Sequence, residues 1–434
     1  MTEKVDSEAS GRPGKRKHDA LEEDEGNMFD MSAAASAALN SARSSSRAIG
    51  VLNKGLRHST DAGAPNPTGE DWDDADGYYL ATIGELMGDR YMVVESSCGK
   101  GVYSSIVKAK AVSVIDDGSP LVAIKIVRAN ALMLKAAEKE IEIIEKLQRA
   151  GGESKRHVVR MLSSFCYRGH QCLVFELMWD DLREALRKLT KGKGMTLSVV
   201  RTYTQQLMLG LRHIHRCGVL HLDIKPDNIL LSEDQSTVKL CDLGTATEID
   251  DVEISPYVMS RCYRAPEIII GIKPQYAVDA FALGCTLYEL FTGKVLACGK
   301  GNHDQLRKTM EFKGKIPSSV IKRGTFWTRH FDESFTLKPD SEADPRHADQ
   351  AELDGGLRLK IGRLKAQLQT FPCKSIKDLV FDRVGPQRCK SSSPEDQKYV
   401  QRAERFSNLL EDMLCLDPDK RSTPKDALKH PFLS

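Results

Sequence analysis

The 434-residue sequence predicts an α+β fold in two unequal lobes, a small strand-rich lobe followed by a larger helical one, behind a long polar extension. Three observations carry that prediction. Branched apolar runs separated by turn signals cluster between Arg90 and Glu176. Apolar residues then recur at helical spacing over much of the remaining chain. Residues 1–85, by contrast, hold acidic runs (Glu22–Glu25, Asp71–Asp74), an Ala/Ser stretch from Ser32 to Ser46 and few branched apolar side chains. Such a segment buries too little surface to offset its ordering entropy, so it is expected to be disordered.

Composition narrows the class. A hydrophobic content of 41% can fill a core, and a net charge of +2 argues against bulk nucleic-acid affinity. Eleven cysteines include no CxxC pair, so neither a zinc site nor a disulfide framework is indicated and reduced thiols are expected. There is no long uncharged apolar run, and Thr2-Glu3-Lys4 does not open a signal peptide. A soluble intracellular protein without membrane association is the expectation. Lys15-Arg16-Lys17 reads either as a nuclear import address or as a solvated charge run.

The elements follow in chain order. Tyr91–Glu95, Val102–Ala109 and Leu121–Val127 are predicted strands, being rich in branched residues and bounded by turns. Ala131–Leu147 is a predicted helix, with Leu132, Leu134, Ile141, Ile144 and Leu147 loosely at helical spacing. Gln171–Phe175 is a further buried strand, which closes a small lobe over 88–177. The lobe over 178–434 is mostly helical. Val200, Tyr203, Leu207, Leu211 and Ile214 step by three and four, and Gly218 is placed to end that helix. Residues 338–398 are polar and weakly patterned, and read as an insertion on the helical lobe. The seam between two such lobes favours a ligand cleft.

The densest chemistry lies in Asp223-Ile224-Lys225-Pro226-Asp227-Asn228, followed fourteen positions after Asn228 by Asp242-Leu243-Gly244. Phosphoryl transfer needs a carboxylate near the acceptor hydroxyl, a cation on the moving phosphate and oxygen ligands for Mg²⁺. Asp223 suits the first task, Lys225 the second, and Asn228 with Asp242 the third. Upstream, Gly99-Lys100-Gly101-Val102-Tyr103-Ser104 lies between two predicted strands and suits a hairpin whose backbone N–H groups approach phosphate oxygens, although the motif is unspecific by itself. Lys125, inside the apolar run Val122-Ala123-Ile124, is costly there unless paired. Glu140 on the following helix is its expected partner, with Glu138, Glu142 and Glu145 as solvated-face charges.

Together with Ala265-Pro266-Glu267, Asp279 and Arg421, these motifs stand in the order of the eukaryotic protein-kinase set, which residues 86–434 resemble. The resemblance implies the two-lobed kinase fold, ATP and Mg²⁺ as cofactors, and transfer of the γ-phosphate to protein hydroxyls. It assigns Asp223 to the acceptor proton and Lys225 to the transferring phosphate, Lys125 (positioned by Glu140) to the α/β-phosphates, and Asn228 and Asp242 to magnesium. It makes Glu267 the partner of Arg421, and Asp279 the brace of the catalytic loop. It also implies Gly99, Lys100, Gly101, Tyr103, Ile106 and Ala123 around the nucleotide. Phe175 matches the gatekeeper, and the hinge Glu176-Leu177-Met178 would bond adenine through its backbone. Asp181 either reaches the ribose or caps the helix that begins at Leu182. The run Lys225–Asn228 resembles serine/threonine rather than tyrosine kinases.

Tyr257–Glu267 resembles the CMGC group, which implies a phosphate on Tyr257 gripped by Arg261 and Arg264. Four stretches resemble one branch, the pre-mRNA-processing-factor-four kinases: Asp71–Tyr79, the catalytic loop with Leu222 where most kinases carry Arg, Arg261–Ile270 with its ending Glu267–Gly271, and Gly314–Pro317. That likeness spans Asp71 to Phe432. It implies spliceosomal proteins as partners, no direct nucleic-acid binding, and a nuclear location with the cytoplasm as a second compartment. A DYRK- or CLK-like kinase with other nuclear substrates and an inactive scaffold are the alternatives; intact Lys125, Asp223, Asn228 and Asp242 argue against the scaffold. The chain departs from the common pattern at Ser104 for Gly, Leu243 for Phe and Cys262 for an aromatic residue. Leu222 cannot contact an activation-segment phosphate, so a Tyr257 phosphate is expected to shape the peptide groove with little direct effect on Asp223. Cys241 either faces the cleft as a reactive thiol or is buried and inert.

Overall fold

The structure, a computed structural model, describes residues 72–101, 103–113, 120–152, 156–339 and 374–434. The small lobe is a six-stranded antiparallel sheet of β1 (Leu86–Met87), β2 (Tyr91–Lys100), β3 (Ser104–Ala111), β4 (Leu121–Val127), β5 (Met161–Tyr167) and β6 (His170–Glu176), in the order β1-β2-β3-β4-β6-β5. Alternation along β4 buries Val122, Ile124 and Ile126 on one face, against Val93, Val107 and Val174, and turns Ala123 and Lys125 to the other. Ile106 pairs directly with Lys125 across β3 and β4, and so shares its face.

Helix α1 (Ala131–Arg149) is capped by Asn130, whose side chain accepts from the Leu132 amide. Its buried stripe is Ala137, Glu140, Ile144 and Leu147, joined by Ile143. Leu132, expected on that stripe, is instead half-exposed in the first turn. Glu138 and Glu142 are exposed, as a solvated face requires.

The extension expected to be disordered over 1–85 is folded from Trp72 onward; residues 1–71, with the charge run Lys15-Arg16-Lys17, lie outside the described residues. The acidic run builds a turn. Asp74 accepts from the Asp76 and Tyr78 amides at 3.0 and 2.9 Å, and Gly77 takes the left-handed conformation (φ +79°) that the turn needs. Tyr79 then buries against the outer face of the sheet, Arg168 stacks on the Trp72 ring, and Asp73 meets His170 at 2.8 Å. Aromatic burial outweighs the acidic composition here.

The larger lobe continues through β7 (Asp180–Asp181), α2 (Leu182–Thr190), α3 (Leu197–Arg216), β8 (Val219–Leu220), β9 (Ile229–Leu231), β10 (Val238–Leu240), β11 (Thr247–Glu248), α4 (Pro266–Ile270), α5 (Ala277–Thr292), α6 (Asn302–Lys313), α7 (Ser318–Ile321), α8 (Ile376–Val384), α9 (Pro386–Cys389), α10 (Pro394–Met413) and α11 (Pro424–Ala427). Gly218, at φ +78°, follows the end of α3 as expected. Of the stretch read as an insertion, 340–373 lie outside the described residues. The part from 374 on is not weakly structured: Ser375 forms a capping box for α8, and Ile376, Val380 and Val384, four apart, join the main core. Among the described residues no helix is long and apolar enough to cross a membrane.

The expectation of reduced thiols fails at one pair. Cys262 and Cys298 are joined by a disulfide, with Cα atoms 4.3 Å apart. Eight other cysteines among the described residues are unpaired.

Candidate active site

Short strand pairings frame the site. β8 pairs with β11 and β9 with β10, so the loop 221–228 and the loop after Leu240 are each pinned at both ends. Asp279, fully buried on α5, holds the first loop from beneath. Its Oδ1 accepts the Leu222 amide and its Oδ2 the His221 amide, both at 2.9 Å, and His215 Nε2 donates to Oδ2 at 2.9 Å. Burial alone would raise the Asp279 carboxyl, yet the hydrogen bond and charge of His215 bring it below the ordinary carboxylate range. His221 Nε2 donates to the Cys241 carbonyl at 3.0 Å, so the two loops are joined directly.

Asp223 is surrounded by donors. Its Oδ1 accepts from the Ser260 amide at 3.1 Å and the Ser260 hydroxyl at 2.7 Å. Its Oδ2 accepts from Asn228 Nδ2 and Lys225 Nζ, both at 2.9 Å. Lys225 also donates to Ser260 Oγ at 3.0 Å, which closes a ring of Asp223, Lys225 and Ser260. Burial pulls the Lys225 ammonium down, but Asp223 beside it carries it above its ordinary value. Asn228 commits Nδ2 to Asp223, to the backbone carbonyl (2.8 Å) as well as the carboxylate. Its Oδ1 is thereby the atom turned to other work.

Lys125 reaches across the seam. Its Nζ lies 2.8 and 3.0 Å from the two oxygens of Glu140 and 3.0 Å from Asp242 Oδ1. Burial would depress this ammonium, yet Asp242 and Glu140 hold it well above its usual range. Lys125 in turn lowers the Asp242 carboxyl to about 2 against the opposing effect of burial. Burial raises Glu140 in spite of Lys125. Asp242 is a non-glycine residue at φ +57°, a strained backbone of the kind kept at functional sites. The following Leu243 is buried in the main core.

The glycine hairpin is closed by the Gly101 amide on the Ser104 carbonyl at 2.9 Å, and Tyr78 from the folded extension donates its hydroxyl to the Gly101 carbonyl at 2.7 Å. Gly99 and Lys100 end β2, opposite Ile106 and Ser105. Tyr103 turns toward the seam: burial first, then the charges of Asp242 and Asp223, raise its phenol. Ala123 pairs with Phe175, at the mouth of the connector that carries Glu176 and Met178. The Glu176 carboxylate is bound at 2.7 Å by Lys239 and at 2.8 Å by the Arg160 amide, and the Glu176 amide donates to the Arg160 carbonyl at 3.1 Å. Asp181 caps α2, accepting the Glu184 amide on Oδ1 at 2.8 Å. Burial first and then Asp242 push the Cys241 thiol well above its ordinary value, which disfavours the reactive thiolate at this half-buried side chain.

A family model described as the protein kinase domain matches residues 92–433. The chain belongs to the protein kinases. It is 36% identical over 364 residues to the serine/threonine-protein kinase prp4 of Schizosaccharomyces pombe, covering 84% of this chain and 70% of that one. It is 38% identical over 366 residues to the serine/threonine-protein kinase prpf4B of Dictyostelium discoideum, again over 84% of this chain but only 42% of that longer protein. The human dual specificity tyrosine-phosphorylation-regulated kinase 3 matches at 31% over 377 residues, 86% of this chain and 58% of its own length. Within the kinases the chain is therefore of the PRP4 serine/threonine type, in the CMGC group.

In this kinase the activation segment rests on a lattice that the sequence did not reveal. Arg183 donates to the Tyr263 hydroxyl at 2.6 Å and to Asp227 at 3.1 Å, and pairs with Glu289, which also accepts from Tyr263 at 2.6 Å. Ser260 was missed as well; only its place beside Arg261 marks it. Arg264 is buried and binds the carbonyls of Tyr257, Val258 and Met259, while Arg261 binds that of Lys300 at 2.9 Å. The Tyr257 side chain is exposed. Glu267 and Arg421 form the expected buried pair, with Arg421 also bound to the Cys415 and Ala277 carbonyls at 2.8 Å.

Proposed function

We propose that this kinase transfers the γ-phosphate of ATP to serine and threonine hydroxyls of spliceosomal proteins in the nucleus. The observation that carries the reaction is the donor ring around Asp223. Four donors fix that carboxylate at the mouth of the loop, where it can orient an acceptor hydroxyl and take its proton. Lys225, already bound to Asp223, is placed to carry its charge onto the transferring group. Lys125, fixed by Glu140, is the cation for the inner phosphates.

The donor set fits magnesium. Asn228 Oδ1 and the Asp242 carboxylate are hard oxygen ligands, and a carboxylate held at about 2 stays ionised throughout the physiological range. Held by Asn228 Oδ1 and the Asp242 carboxylate, such an ion would supply positive charge against the phosphate oxygens. The connector at Glu176–Met178 and Asp181 would face adenine and ribose, with Asp181 also capping α2. The same reading makes Tyr257 the phosphate-bearing residue of the activation segment, with Arg261 and Arg264 as its grip.

The splicing assignment rests on the likeness to PRP4-type kinases. The test is to incubate the full chain with ATP, Mg²⁺ and purified splicing factors beside an Asp242→Ala variant. The expected result is serine and threonine phosphate on the splicing factors with the wild-type chain alone. Transfer to a generic peptide but to no splicing factor would overturn the substrate assignment. Equal labelling by both proteins would overturn the catalytic one.

A further inference from the structure

We infer that Cys262 and Cys298 form a reversible redox clamp that sets how firmly the activation segment holds a peptide substrate. The two residues are 36 positions apart, on separate elements, yet their Cα atoms lie 4.3 Å apart with the sulfurs bonded. Cys262 sits in the short turn Arg261–Tyr263, two residues after the Ser260 that binds Asp223. Cys298 lies in the loop between α5 and α6.

That loop is itself anchored. The Gly299 amide donates to Gln305 Oε1 at 2.7 Å and the Lys300 amide to Asp304 Oδ2 at 2.9 Å, both acceptors on the first turn of α6. A Cβ on Gly299 would fall 2.3 Å from the Gln305 nitrogen, so the loop cannot shift toward the helix. The activation segment meets the same place without covalent help: Arg261 reaches the Lys300 carbonyl, and Asn302 Nδ2 donates to the Pro256 carbonyl at 3.0 Å. The disulfide therefore ties the turn beside the catalytic carboxylate to a rigid helix end. Two unbonded thiols need more room than a disulfide, so reduction pushes turn and loop apart while the polar contacts slacken.

Access favours reversibility. Cys298 is exposed and Cys262 half-buried, whereas Cys172 and Cys285 are buried and unpaired. Exposed disulfides are the ones that exchange with solution thiols. Closing the clamp needs a two-electron oxidant such as a peroxide. The Cys298 thiol gives up its proton, the thiolate attacks the peroxide, and the O–O bond breaks. A sulfenic acid forms while the departing hydroxide takes up that proton as water; the proton from Cys262 serves the second step in the same way. The Cys262 thiolate then displaces the sulfenic oxygen as a second water and forms the S–S bond. Opening it consumes a dithiol reductant, which becomes the oxidised disulfide as both cysteines regain protons.

The bond and its consequence are tested separately. In the full chain, alkylation followed by non-reducing peptide mapping is expected to find the Cys262–Cys298 crosslink after hydrogen peroxide and to lose it after dithiothreitol. Two alkylated cysteines after peroxide would overturn the inference whatever the activity. Steady-state kinetics on the same samples is expected to give a peptide KM several-fold higher after reduction, with the ATP KM unchanged. Cys298→Ser and Cys262→Ser should each show the reduced value and ignore both reagents. A peptide KM indifferent to redox state in wild type, with the crosslink forming and breaking, would overturn the functional half and leave the kinase assignment intact.

Discussion

Leu222 sits at φ +63°, a conformation that costs a side chain with a Cβ about 1–2 kcal/mol. It is held there by the hydrogen bond of its amide to Asp279, and its side chain is buried in the main core. A residue that in most kinases is a cation is here an apolar plug, so the catalytic loop is braced from below by Asp279 rather than from the activation segment by charge. The link to that segment passes instead through Ser260, whose hydroxyl donates to Asp223 and accepts from Lys225. Removing it leaves the Ser260 amide on Asp223 but frees the carboxylate and the ammonium to shift. Ser260→Ala is expected to lower kcat roughly tenfold, the equivalent of about 1.4 kcal/mol, because a hydrogen bond to an ionised group is lost. The ATP KM should stay within about twofold, since Lys125 and Asp242 are untouched, and Ser260→Thr, which keeps the hydroxyl, should restore most of the rate. Wild-type kcat in the alanine variant would show that the backbone amide alone suffices.

The activation segment is the element on which control converges. Its backbone from Tyr257 to Met259 is already wrapped around Arg264, and Arg261 grips the loop before α6, while the Tyr257 side chain points to solvent. A phosphate on Tyr257 would draw on these two guanidinium groups and stiffen the peptide groove, with no path through Leu222 to Asp223. Tyr257→Phe, compared with wild type shown by mass spectrometry to carry the phosphate, is expected to lose several-fold in peptide kcat/KM while ATP hydrolysis without peptide is unchanged. Equal peptide turnover would refute the phosphate's role. What the sequence made legible here follows a physical divide. Residues whose chemistry is fixed by type and short spacing come together: Asp223 with Asn228, five positions on, and Lys125 with Glu140, fifteen positions on, whereas the contact of Lys125 with Asp242, 117 positions away, was not foreseen. Contacts between distant segments were not visible: Ser260 with Asp223, Arg183 with Tyr263 and Glu289, and Cys262 with Cys298. The acidic run at Asp71–Asp76 misled because composition weighs charge and ignores that Asp74 can build a turn for the flanking aromatics.

Across the whole molecule, burial of histidine couples stability to pH. The lobes are joined by Lys125 with Asp242, by Lys239 with Glu176, by Lys146 with Glu248 and by the Val159 amide on the Leu240 carbonyl. His157, His330 and His430 all lie below the ordinary imidazole range, each chiefly because burial disfavours the charged ring. His330 is the extreme, lowered to about 3 and stacked on His303. His303 Nε2 donates to the Lys338 carbonyl at 2.9 Å, and the Nδ1 atoms of His303 and His330 face each other at 3.3 Å, where one proton between them makes a hydrogen bond and two would set donors face to face. The sign follows from linkage: below about 6.5 the unfolded chain binds protons that the folded chain refuses, so folding is fully favoured above that pH and weakens as pH falls toward about 3. One pH unit below the ordinary histidine value, His330 alone should remove about 1 kcal/mol. The urea midpoint of the full chain is therefore expected to be lower at pH 5.5 than at pH 7.5, and His330→Gln, whose amide can still donate to His303, should narrow the difference. Histidine NMR gives a readout that does not depend on the variant folding: the His330 ring should show no titration between pH 7.5 and pH 5. A normal titration near 6.5, or a midpoint that rises on acidification, would refute the coupling.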